Sequence, residues 1–202
     1  MKYEFYGDMV IDYLAVMLLN LSFGLFVAGI YFLKLDYLNP KSSEEEMKIR
    51  KSFSVVGMGS GLLAFILGLS IVLTWPLIGS YNILFGEAYT IYGLILLIAS
   101  FVAFNGWDLR PVGYFSLFAG IYAFVDAYGV YIHNFTTEPL LTVALYSFLG
   151  IAAIMITISV HTKNVWVWRL TALFLFLAMI VAMIVGYGAA LQHLGSFATY
   201  KP

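Results

Sequence analysis

Six apolar runs, each long enough to cross a bilayer, occupy nearly all of this 202-residue chain: 9–33, 54–78, 83–105, 112–133, 139–161 and 165–193. A hydrocarbon core about 30 Å thick takes about 20 residues of helix. A soluble helix would show a polar stripe every 3.6 residues, and these runs show none. A mean hydropathy of +0.94 agrees. The expected fold class is all-α: one polytopic membrane domain over residues 1–202, with six transmembrane helices in three hairpins. Only 34–53 is long enough to be more than a turn.

Charge sets the expected threading. The first loop carries Lys34, Lys41, Lys48, Arg50 and Lys51, the third connection Arg110, and the fifth Lys163 with Arg169 just beyond. The second and fourth connections hold no Lys or Arg. Positive residues stay in the cytoplasm, which puts the odd loops, 34–53 included, inside and both termini outside the cell membrane. Glu4 and Asp8 precede an overlong first run, so the N-terminus does not read as a cleavable signal. A net charge of −1 gives no reason to expect a nucleic-acid partner. The absence of cysteine excludes disulfides, thiol chemistry and thiolate metal sites.

Local patterns mark ends and contact faces. Ser42-Ser43 before Glu44-Glu45-Glu46 reads as a helix N-cap followed by carboxylates at the positive end of the dipole. Trp75 at one interface and Trp107, Trp166 and Trp168 at the other form an aromatic belt. Gly57-x-x-x-Gly61, extended by Ala64 and Gly68, predicts a close helix–helix contact, within the bundle or between subunits. Helix 6 offers Ala182, Gly186, Ala189 and Ala190 for the same purpose.

Ionisable groups inside a membrane are costly and are functional candidates by default. Asp12, Glu87, Asp126, His133 and His193 all fall towards the outer side of the expected topology. Tyr122, Asp126 and His133 share one helical stripe. Three readings stay open: a structural set bonded within the bundle, an outer vestibule or gate that responds to pH, and a haem or metal site using His133 and His193 with a carboxylate. No local His spacing supports the last. Asp108 and Arg110, in Gly106–Pro111, read as a turn with an inner ion pair. Tyr122, Tyr146 and Phe148 are aromatic candidates for lining a path. No nucleophile elbow, zinc-protease helix or phosphate loop is present, so an enzyme is not expected and neither is a cofactor.

The segment Trp107–Phe118, with Leu38-Asn39-Pro40-Lys41-Ser42 after helix 1, resembles the acid-activated urea channel and amide transporter family. The resemblance covers about a third of the chain. It implies six helices in three hairpins, both termini outside, and a ring-shaped homo-oligomer. That family carries pore tryptophans on its fifth helix, where Leu140–Ser159 has none, and a third-helix Asn where Val102 stands here. The whole chain is more similar to an uncharacterised archaeal and bacterial six-helix membrane family whose third helix opens with Asn-x-Leu-Phe-Gly-Glu, present as Asn82–Glu87. The expected function is a channel or facilitator for a small uncharged solute such as urea or a short amide. The alternative is a small accessory subunit of a respiratory or transport complex, with haem or metal on its outer side.

Overall fold

The computed structural model describes residues 13–33, 42–162 and 164–198, with side chains as far as residue 195. Its helices are α1 (Tyr13–Phe32), α2 (Ser43–Thr74), α3 (Ala88–Asn105), α4 (Arg110–His133), α5 (Pro139–His161) and α6 (Val165–Ala198), with a π-helical turn at Asn82–Glu87 leading into α3. All six are long and apolar enough to cross a membrane. Helices bond their own backbone internally, as a lipid-solvated chain must. Large side chains such as Phe118, Leu73 and Leu140 remain on the outside, where lipid tails cover them. The protein is an integral membrane protein of the all-α class.

The ends follow local chemistry. The Ser42 Oγ accepts the Glu45 N–H at 3.2 Å, so α2 begins as a capped helix that includes the charged segment 44–51. Pro111 and Pro139 stand in the first turns of α4 and α5, where the missing N–H costs nothing. At the end of α3, Gly106 turns left-handed (φ 71°) and its N–H returns to the Ala103 and Val102 carbonyls.

Small residues decide which helices touch. A Cβ at Gly61 would lie 2.5 Å from the Leu97 amide nitrogen, and one at Gly68 2.5 Å from that of Thr90. The Gly57–Gly61–Gly68 face is therefore spent inside the subunit, against α3. A Cβ at Gly120 would meet the Gly150 carbonyl at 2.9 Å, which brings α4 and α5 together, and Gly186 receives Leu18 of α1. The resulting ring has close α2/α3 and α4/α5 hairpins, is closed by α1 on α6, and has its loosest seam between α3 and α4.

Candidate functional site

A cavity of about 180 Å³ runs along the middle of the ring and takes lining residues from all six helices. On α3 the lining passes from Ala88 through Tyr92, Leu96 and Ser100 to Ala103, one helical face followed for four turns. Gly113, Ser116 and Ala119 of α4 and Ala152 and Ala153 of α5 keep the opposite walls short, which is why the centre stays hollow. Among the described residues the wall contains no Asp, Glu, His, Lys or Arg. Its polar groups are hydroxyls, from Ser54, Ser100, Ser116 and several tyrosines. A second void of about 30 Å³ shares Ala88, Tyr92, Tyr146 and Leu149 with the first and continues to Met17 and Phe85.

Tyrosines bound the cavity at the end where α3 begins. The Tyr146 hydroxyl donates to the Leu84 carbonyl at 2.7 Å, inside the π-helical turn. The Tyr122 hydroxyl donates to Glu87 Oε2 at 2.6 Å, tying α4 to the start of α3. Asp126 follows one turn after Tyr122, within electrostatic range of Glu87, Tyr122 and Tyr146. Its Oδ2 is buried and finds no hydrogen-bond partner among the described residues. The fully buried Asn82 anchors the loop before the turn: its Oδ1 accepts the Leu77 N–H at 2.7 Å, and its Nδ2 donates to the Leu77 and Gly79 carbonyls.

The structure thus brings Glu87, Tyr122 and Asp126 together and puts Tyr122 and Tyr146 on the cavity wall. Phe148 instead packs on Phe174 of α6, with ring centroids 6.4 Å apart. His133 is exposed at the end of α4, its ring against Phe135. His193 is half-buried near the end of α6. Asp12 lies outside the described residues. No cluster of three or more His, Asp or Glu side chains suited to a metal ion occurs among the described residues.

At the opposite end, Arg110 donates through its backbone N–H to Asp108 Oδ1 at 2.9 Å and through Nε to Oδ2 at 2.7 Å. The Arg110 side chain, donating to Asp108, holds this carboxyl below the usual carboxylate range although it faces solvent.

A three-helix polar network went unseen in the sequence. The Asn20 amide of α1 donates to the Tyr89 hydroxyl at 2.7 Å and the Ser60 carbonyl at 3.1 Å, and the Ser60 Oγ donates to Asn20 Oδ1 at 3.0 Å. Asn20 was detectable as a lone amide inside an otherwise apolar run. Its partners on α2 and α3 were not.

The fold is shared with the Helicobacter pylori urea channel, whose closed-state cryo-EM structure superposes with a TM-score of 0.68 at 20% identity, over 89% of this chain and 98% of that one. No curated protein matches the chain. A family model, described as a protein of unknown function (DUF981), matches residues 9–196, and the chain belongs to that family.

Proposed function

We propose that the protein is a channel or facilitator for a small uncharged solute such as urea or a short amide, with one path in each subunit. The observation that carries this reading is the central cavity, lined by all six helices with hydroxyls and apolar groups and, among the described residues, no formal charge. An uncharged wall offers little compensation to an ion leaving water, whereas a neutral solute needs only the right width and a few hydrogen-bond partners. The shared fold with a urea channel supports the same class of solute.

In this reading the lysine-rich 34–53 segment is cytoplasmic and both termini are extracytoplasmic. Glu87, Asp126, His133 and His193, with Asp12, belong to the outer mouth and tune entry, and the subunits assemble as a homo-oligomeric ring. No chemical step is catalysed. The test is stopped-flow flux of urea and of acetamide into proteoliposomes, each across a range of pH. Flux well above that of protein-free vesicles is expected for at least one of the two, and rates equal to empty vesicles at every pH would refute the reading.

A further inference from the structure

Buried hydrogen-bond donors without partners are rare in folded proteins, and two lie one turn apart on α2 near the Arg110 turn, of which Ser54 is on the cavity wall. Ser54 of α2 is 4% exposed and lines the cavity, and its Oγ has no hydrogen-bond partner among the described residues. Arg50 precedes it by one turn on the same face. The Arg50 Nε is buried and likewise finds no partner among the described residues. The remainder of the guanidinium reaches the turn after α3, with Nη2 3.9 Å from where a Cβ on Gly106 would lie. Arg50 is also within electrostatic range of Tyr31, another wall residue. Glu46, one turn earlier, is exposed.

We infer that Arg50 and Ser54 form a binding station for the carbonyl oxygen of a neutral solute at this mouth of the cavity. The inference rests on the channel reading and names the solute chemistry that the reading leaves open. Arginine can only donate, and the Ser54 hydroxyl can donate alongside it to one shared acceptor. The matching ligand group is an acceptor with two lone pairs, which a carbonyl oxygen provides. Beyond Ser54 the described wall carries scattered hydroxyls on a largely apolar surface and no countercharge, so an anion held by Arg50 would meet a steep barrier, while a neutral amide carries no such cost. A charge-assisted bond at the mouth offsets the hydration that the carbonyl gives up on entering.

Acetamide and thioacetamide separate this idea from the channel reading, because sulfur is the weaker acceptor and the two molecules are otherwise alike. Full-length protein in phosphatidylcholine vesicles, with and without phosphatidylglycerol, is compared with Ser54→Ala, Ser54→Thr and Arg50→Lys. Ser54→Ala and Arg50→Lys, which lose the hydroxyl and the Nε–H, should each lower acetamide flux roughly tenfold and thioacetamide flux much less. Ser54→Thr, which keeps the hydroxyl, should keep the wild-type ratio. An unchanged ratio in Ser54→Ala and Arg50→Lys overturns the station and leaves the channel standing. A ratio lost in Ser54→Thr as well would assign the effect to packing and also overturn it. An Arg50→Lys effect confined to vesicles with phosphatidylglycerol, and equal for both solutes, would make Arg50 a lipid-phosphate contact instead. Wild-type protein that passes neither solute overturns the station, and if it passes no urea either the channel is removed with it.

Discussion

A carboxylate within a bilayer must be paired or wetted, and Glu87 is paired by the Tyr122 hydroxyl. Removing that hydroxyl in Tyr122→Phe strips a charge-assisted bond and should cost about 2 kcal/mol, read as a lower unfolding midpoint in detergent. Asn82→Ala should cost roughly 1–2 kcal/mol, because it leaves the half-buried Leu77 N–H without its acceptor. The solvent-facing Asp108 behaves differently. Its folded-state value is depressed by Arg110, so its contribution is present above the unfolded value and is lost as pH falls through the folded one. The difference in melting temperature between wild type and Asp108→Asn should therefore be small, present at neutral pH, and vanish in acid; a difference that persisted below the folded value would contradict the pairing. The exposure of this pair and screening by salt keep the effect small.

Helix contacts in lipid depend on how near two backbones can come. Gly61 faces the Leu97 backbone directly, whereas a Cβ at Gly59, on the same helix, would meet nothing within 4 Å. Gly61→Ala should force α2 from α3 and cost roughly 1–3 kcal/mol. Gly59→Ala should be neutral or stabilise by up to about 1 kcal/mol, since alanine is the better helix former. Equal melting temperatures for the two variants would contradict the assigned contact face. This face was legible in the sequence because its spacing is purely local, and so was the Ser42 cap. The π-helical turn at Asn82–Glu87 was not, because the Leu84 carbonyl within it is taken by Tyr146, 62 residues later. Tyr146 and Phe148 show the same limit. Two residues apart on α5 they point about 200° apart, so at most one of them can face a central path, and sequence alone does not say which.

For the molecule as a whole, composition declares the lipid solvent and the six crossings, and the positive residues give a threading that can be tested directly. The chain has no cysteine, so single thiols introduced by Glu45→Cys and Leu194→Cys have no background. A membrane-impermeant maleimide should label position 194 from outside in intact cells and position 45 only after lysis; labelling of both from one side would reverse the proposed orientation. The order of helices around the ring was not legible, since short connections fix which helices are antiparallel but not that α1 closes on α6 or that α3 and α4 stand apart. The hollow centre has a thermodynamic corollary. A hollow of about 180 Å³ forgoes the side-chain contacts that a solid bundle would make there, a standing cost to stability. Lengthening one wall residue, as in Ala99→Leu, should yield a protein that melts at a higher temperature and passes less solute, so that thermal robustness and throughput are opposed in this fold.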